Sequence, residues 1–591
     1  MAEASTLSPP AAAPTPAPRR ARLNPVWLAL PALIFLILFM LLPVGQILML
    51  SVTDKTGVWT TRFLEKAVSP GLYVRVLSTT FSVALQVTLW CVLLGYPLAY
   101  WLSRLRGRAQ RLAAFCILLP FWTSALIKNF VWMVLLGRTG VVAQALTALG
   151  WENPPEMLYT QATVIFAMAH TMLPLAVITM LPVIQQIDRR LQPAAMTLGA
   201  TGPQSFWLVT LPLSMRGISS AGLLVFVASL GFFITPALLG GPPQTMIGQL
   251  IILQINQLQN WPQGAALAAV LLVAALVSVF VFDKIFGISS VSGAGGSARR
   301  ADARIRRFGL RASEIAGQLA ARLGDALPEH RSRRLLNLFA GVMLAGLLVP
   351  VLAFIPMAFS AAPQLEIFPR ELSLRWFEEL LASPVWTGAI LRSIGIGLAT
   401  AALVVLVGGL AAVALARGTS RLSGPIFLLI LSPMIVPPIA LAVALFYLFA
   451  RIGLVATNLG IVIGHCVIAL PIVFVILLTT FKGYEWRLND VAMTLGATRA
   501  QSWRLIALPL LKGGIAAGFV TGFLQSFEEL TVALFIGGGL KTTLPKQMWD
   551  SILLQATPLI AAASVVMLVI VMAFFALLEL AQTRRGLKPR P

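Results

Sequence analysis

Charge is scarce in this chain. Of its 591 residues only 11% are Asp, Glu, Lys or Arg, against about 25% in a soluble domain. With 58% hydrophobic residues and a mean hydropathy of +0.87, this deficit excludes an ordinary water-soluble enzyme. Cysteine is scarcer still. Cys91, Cys116 and Cys466 lie inside apolar segments without paired spacing, which excludes a disulfide framework and a cysteine-based metal site. Histidine is too sparse for a metal centre: His170 and His465 recur at similar depth, have no further ligands of suitable spacing, and read as interhelical hydrogen-bonding groups. A phosphate-binding GxxxxGK[ST] loop is also missing. The nearest string, Gly537-Gly538-Gly539-Leu540-Lys541-Thr542-Thr543, lacks the Gly before the Lys and falls in an external loop. No cofactor is expected on this chain, and any ATP has to be bound by another one.

Basic residues are in excess, with a net charge of +23. Their distribution argues against nucleic acid as a partner, because they sit in short clusters between long apolar runs, the topology signal of a membrane protein. A helix needs about 20 apolar residues to cross lipid. Six such runs centre near Leu38, Leu89, Phe121, Ala169, Phe226 and Ala274, and six more near Leu347, Val404, Ala440, Val467, Phe523 and Val569. The run from about Trp27 to Leu50 is too long for a cleavable signal and reads as a retained span. Most Lys and Arg fall on one side of the alternating loops, together with Arg19, Arg20 and Arg22. Both termini are therefore expected in the cytoplasm.

The expected architecture is all-α: an Ala/Pro-rich N-terminal tail (1–26), a first half of six spans (27–285), a basic cytoplasmic linker (286–334), a second half of six spans (335–581) and a short cytoplasmic tail (582–591). The linker reads either as a tether or as an amphipathic helix from about Ile305 to Leu323 resting on anionic lipid.

An internal repeat ties the halves together. Pro193–Leu213 reads PAAMTLGATGPQSFWLVTLPL and Asp490–Leu510 reads DVAMTLGATRAQSWRLIALPL, matching at 13 of 21 positions at a constant offset of 297 residues. Each copy lies in a cytoplasmic loop (187–215 and 485–512) between the fourth and fifth span of its half. The halves therefore have parallel topology, with a pathway expected between them. Good helix formers precede Gly199 and Gly496, where a helix can end in positive φ. A second short helix, closed by Pro212 or Pro509, is expected to follow.

These segments resemble the EAA coupling loop of ABC importer permeases, the type I fold. Ala194, Ala195, Gly199, Leu211 and Pro212 fit the family pattern in the first copy, and Ala492, Gly496, Leu508 and Pro509 in the second. The pattern's acidic residue is Asp490 in the second copy but is replaced by Pro193 in the first, and Val491 replaces one alanine. The resemblance implies a cytoplasmic ABC ATPase dimer gripping both loops, a periplasmic or extracellular solute-binding protein docking on the outer loops, and a bacterial inner-membrane location. Leu118–Val142 resembles the first permease of spermidine/putrescine importers. His465, Ser432-Pro433, Val436-Pro437-Pro438 and Ser526–Gly538 (SFEELTVALFIGG) resemble the second. Related permeases move iron, opines, aminophosphonates and other small solutes. A twelve-span transporter driven by an ion gradient is the alternative.

Within the pathway, Glu528 and Glu529 stand out as acidic residues in the eleventh span, where a carboxylate is costly and usually functional. At the repeat offset their counterparts are Gly231 and Phe232. If the span is one helix, the two carboxylates point about 100° apart and one of them faces the pathway. A carboxylate there, with Trp122 or Phe232 nearby, would attract an ammonium by charge and by cation–π contact. The competing reading pairs it with Lys128 or another polar group across a helix interface. Pro97, Pro120, Pro174, Pro433, Pro437 and Pro471 are expected to kink their spans.

Overall fold

A backbone in lipid has to satisfy its own hydrogen bonds, so each apolar run folds as helix. The computed structural model describes residues 25–54, 57–286, 315, 318, 329–418, 420–539 and 541–583. The N-terminal and C-terminal tails and the segment Ile305–Leu323 fall outside the described residues for nearly their whole length. The first half comprises α1 (Pro25–Leu50), α2 (Leu72–Arg104), α3 (Gly107–Phe121), α4 (Ala125–Leu135), α5 (Gln161–Gln185), α6 (Leu191–Thr197), α7 (Gly202–Leu230), α8 (Ile234–Leu239) and α9 (Trp261–Phe286). The second comprises α10 (Glu329–Ala358), α11 (Pro384–Arg417), α12 (Ser423–Met434), α13 (Pro438–Ile452), α14 (Asn458–Lys482), α15 (Arg487–Thr494), α16 (Arg499–Phe527), α17 (Thr531–Ile536), α18 (Leu544–Leu554) and α19 (Pro558–Thr583).

Among the described residues ten helices are long and apolar enough to cross a membrane unbroken. The spans expected around Phe121 and Ala440 are not continuous. The first bends by 87° between α3 and α4, and the second by 95° between α12 and α13. Ser124 restarts the chain as α4, its hydroxyl accepting from the Leu126 N–H at 3.2 Å. Pro437 and Pro438 open α13, where a missing donor costs nothing. By contrast Pro97, Pro174 and Pro471 sit inside helices that pass through without such a break.

The first helix of each half packs on the other half. α1 lies against α11, α12 and α13, while α10 lies against α2, α3 and α4. Trp101 on α2 donates its indole N–H to Asn337 on α10 at 2.9 Å, and His170 on α5 reaches the Gly346 carbonyl of α10 at 3.2 Å.

Inside the second half, α11 and α16 approach through reciprocal small residues. A Cβ on Gly397 would lie 2.8 Å from the Phe523 ring, and one on Gly522 would lie 2.9 Å from Val404 Cγ2 and 3.3 Å from Ala401 Cα. Without apolar burial from water to drive association in lipid, such close packing carries much of the stability. Gly522→Leu is expected to cost about 1–3 kcal/mol by overpacking. Gly513→Leu, on the same helix with nothing within 4 Å of a Cβ, is expected to leave thermal unfolding in detergent unchanged.

Candidate functional site

The two repeated loops form matching elbows. α6 ends at Gly199 with φ +95° and α15 at Gly496 with φ +93°. In each, two crossed backbone bonds close the end: Ala200 N–H to Ala195 O and Gly199 N–H to Met196 O, with Ala497 to Ala492 and Gly496 to Met493 in the second copy. The next helix begins with a capping box, Thr201 with Gln204 and Thr498 with Gln501. It does not stop at Pro212 or Pro509. A π turn, Phe206–Thr210 or Trp503–Ala507, precedes each Leu-Pro pair. The wider turn shifts the carbonyl that the pyrrolidine ring would strike, so the helix runs on as the fifth span. Leu198 and Leu495 project from the elbow tips, 89% and 83% exposed. The sequence reading passed over them, although an apolar residue just ahead of the positive-φ glycine in both copies was the available signal. Ala194 is exposed, Ala195 half-buried and Ala492 buried, and Asp490 points to solvent. Leu211, Pro212, Leu508 and Pro509 lie just beyond the π turns.

Both elbows are fastened to the C-terminal end of the second span of their own half. Arg189 donates to the Ser103 carbonyl of α2 at 2.7 Å. In the second half the Arg417 guanidinium of α11 lies 4.7 Å from the Trp486 ring, which in turn contacts Trp503.

At the far end of α7 and α16 the helices stop. α7 gives way at Gly231 and restarts as α8, and α16 gives way at Glu528 and restarts as α17. Glu528 and Glu529 therefore lie in a break rather than inside one helix, and the 100° argument does not apply. The Glu529 carboxylate accepts from the Val532 N–H at 3.0 and 2.9 Å and from Ala533 at 3.3 Å, capping α17. It also lies 3.3 Å from His465 Nε2, without hydrogen-bond geometry. His465 Nδ1 shares a 2.7 Å hydrogen bond with Ser526, whose hydroxyl reaches Thr400 at 3.3 Å. His170 faces α10 instead. The two histidines are not equivalent: counted from the capping threonines Thr160 and Thr457, they stand out of register.

Glu528 is placed differently. Its Oε1 is buried and has no hydrogen-bond partner. Lys128 is 2% exposed, and its Nζ donates to the Pro120 carbonyl freed at the α3–α4 bend, at 2.8 Å. An aromatic stack bridges the same region: Trp122 lies 3.9 Å from Phe575, and Phe574 lies 3.8 Å from Phe523. On the opposite side, the Gly231 break meets the other bend, where an added Cβ would sit 3.2 Å from both Pro437 and Pro438. Phe232 packs into the core shared by the first half and α10, and Phe233 touches Trp549 of α18 edge-on at 5.6 Å. The structure thus places Trp122 and Lys128 at the α3–α4 bend and Glu528 at the break after α16, while Glu529 is held by the start of α17. Arg392 on α11 lies apart. It donates to the Thr542 carbonyl at 2.7 Å beside a cavity of about 450 Å³ between α11 and α14. Among the described residues no cluster of three or more metal-ligating side chains occurs.

Comparison with known proteins gives concordant matches. The model of the family described as binding-protein-dependent transport system inner membrane component matches twice, at residues 91–288 and 404–586. The spermidine/putrescine transport system permease protein PotB of Haemophilus influenzae is 34% identical over 212 residues, 36% of this chain and 74% of that protein. Its Escherichia coli K12 counterpart is 33% identical over 36% of this chain and 77% of its own. The permease protein PotC of Haemophilus influenzae is 28% identical over 248 residues, 41% of this chain and 95% of that protein. The crystal structure of a bacterial alginate ABC transporter, in complex with an alginate pentasaccharide-bound periplasmic protein, aligns with a TM-score of 0.37 at 21% identity, over 43% of this chain and 91% of that one.

The arrangement separates two carboxylates by role. Glu529→Ala removes both the cap of α17 and the partner of His465. Its expected cost is about 1–3 kcal/mol, read as a lowered midpoint of thermal unfolding.

Proposed function

Because the chain belongs to the family of binding-protein-dependent transport system inner membrane components, and is the permease of an ABC importer with both halves in one polypeptide, we propose that its solute is a polyamine such as spermidine or putrescine. The observation that carries this reading is Glu528, a buried carboxylate with an unpartnered oxygen at the junction between the halves. An ammonium group matches it in charge and donor count. The polyamine permeases among its relatives support the same solute class.

In this reading a binding protein delivers the solute to the outer loops Ser51–Thr80, Thr139–Thr160 and Ser360–Val385. A separate ATPase dimer grips the two elbows through Leu198 and Leu495, with Ala194, Ala195, Asp490 and Ala492 around them. Both termini are cytoplasmic. ATP binding closes the dimer, and the elbows turn that closure into rotation of the halves about the junction. Trp122 lines the pathway beside Glu528, and Phe232 and Glu529 shape its walls.

Two measurements test the proposal. Uptake of labelled spermidine by the complete transporter is expected to be competed by putrescine and to require nucleotide; uptake by this chain alone under an ion gradient overturns it. Valine at Gly199 and Gly496 forces a β-branched residue into positive φ at about 1–2 kcal/mol per site. Solute-stimulated ATP hydrolysis is expected to fall several-fold in the double variant while the chain still inserts.

A further inference from the structure

The cavity beside Arg392 lies away from the junction and has its own chemistry. Its volume, about 450 Å³, falls within the range of ligand pockets, about 300–1,000 Å³. One wall is a face of α11 made of Gly388, Arg392, Gly395 and Ala399, and the other is the first turns of α14, with Asn458 and Val462. An added Cβ on Gly388 or Gly395 would meet nothing within 4 Å, so the track between them is empty. Leu391 and Leu459 stand at its rim, 70% and 58% exposed, on a surface that lipid covers. Arg392 forms no ion pair among the described residues. Of the five N–H donors of a guanidinium, one is used, on the Thr542 carbonyl.

Depth fixes what such a cation meets. Arg417 closes α11 at the elbow end, and the rise from there back to Arg392 is about 37 Å. The hydrocarbon is about 30 Å thick, and about 40–45 Å with the headgroups, so Arg392 stands at headgroup level on the side opposite the elbows. The first half does not repeat the arrangement. Thr80 and Ser393 pin equivalent helix starts, and aligning them also superposes the helix ends Arg104 and Arg417. Thr79 then falls at Arg392, Ser82 at Gly395 and Gln86 at Ala399. Gln86 donates to the Ser82 hydroxyl at 2.9 Å, so polar side chains occupy the face that the second half leaves open.

We propose that this cavity is a binding site for an anionic phospholipid, with the headgroup phosphate on Arg392 and one acyl chain laid along Gly395, Ala399 and Val462. A guanidinium matches a phosphate with paired N–H donors. Asn458 adds an exposed amide, and the start of α14 adds the positive end of a 25-residue helix. The site carries a positive charge with no carboxylate to balance it, which favours a lipid of net negative charge over a zwitterion. The occupant ties the first turns of α14 to α11 and, through the Thr542 carbonyl, to the connection between α17 and α18.

The test uses the purified full chain, stripped of lipid in an uncharged detergent. Its probes are phosphatidylglycerol, phosphatidylcholine and inorganic phosphate, with retention read by native mass spectrometry and by the midpoint of thermal unfolding. Phosphatidylglycerol is expected to bind most tightly and to raise the midpoint. Arg392→Gln is expected to weaken it about tenfold, the scale of one hydrogen bond to a charged group, and Arg392→Lys to recover part of the loss. Gly395→Leu fills the chain track with Arg392 in place. It is expected to weaken the lipid comparably, and it serves if Arg392→Gln does not fold. Gly513→Leu, on α16, is expected to change nothing. Equal retention of the two lipids, or of phosphatidylglycerol by wild type and Arg392→Gln, marks unspecific coating of an apolar groove and overturns the site. Inorganic phosphate bound as tightly as phosphatidylglycerol and indifferent to Gly395→Leu marks a free-anion site and overturns the lipid as its occupant.

Discussion

A peptide group in the hydrocarbon of a membrane has no water to turn to, so irregular backbone survives there only where protein covers it or a polar pathway passes. Among the described residues four interruptions fall inside spans: the α3–α4 and α12–α13 bends and the breaks at Gly231 and Glu528. The break at Gly231 meets the bend at Pro437 and Pro438. Each exposed end is answered locally. Ser124 caps α4, Glu529 caps α17, and the Pro120 carbonyl is answered by Lys128. Elsewhere the spans run unbroken, even through Pro97, Pro174 and Pro471. The breaks are thus concentrated where the two halves meet.

Duplication gave both halves the same scaffold, and divergence made the junction unequal. Thr80 in the first half accepts from the Ile247 N–H at 2.9 Å, and Ser393 in the second accepts from Leu544 at 2.7 Å. The same helix start is therefore pinned to the second span in both. At the break, the first half presents a glycine tight against two prolines, whereas the second presents two carboxylates, a histidine and a serine. One side of the junction is closed by shape and the other by charge.

Much of this was readable without coordinates. Length and apolarity of the runs located the spans, because the bilayer sets a minimum helix length. The repeat located the elbows, because Gly199 and Gly496 stand where a helix end needs positive φ. The bends were not readable with the same confidence. Six prolines look alike along the chain, but only near Pro120 and near Pro433 and Pro437 does the chain turn sharply, since there it also finds a new helix start. The separate fates of Glu528 and Glu529 were invisible for a related reason. Adjacent residues were assigned to one helix, and the break that separates them depends on Glu529 finding the backbone of α17 and His465 from a distant span. The exchange of first helices between halves also left no local mark, since apolar faces of α1 and α10 suit either neighbour.

The elbow and the junction are two ends of one object. α7 begins at the first elbow and ends beside Gly231; α16 begins at the second and ends at Glu528. Each is 29 residues long, about 43 Å at the α-helical rise. A rigid helix of that length carries a displacement of its elbow end to the break without a relay of side chains. The π turn just inside each elbow is where the hydrogen-bond ladder is widest and the helix easiest to bend. The anchors on α2 and α11 limit where that bending is taken up, because Arg189 and Trp486 hold each elbow to its neighbouring span. Motion imposed at the elbows is therefore delivered to the point where the buried carboxylate stands. The swapped packing of α1 and α10 adds a restraint: neither half can turn without shearing a helix along its partner, so the halves are driven to move against each other as a pair.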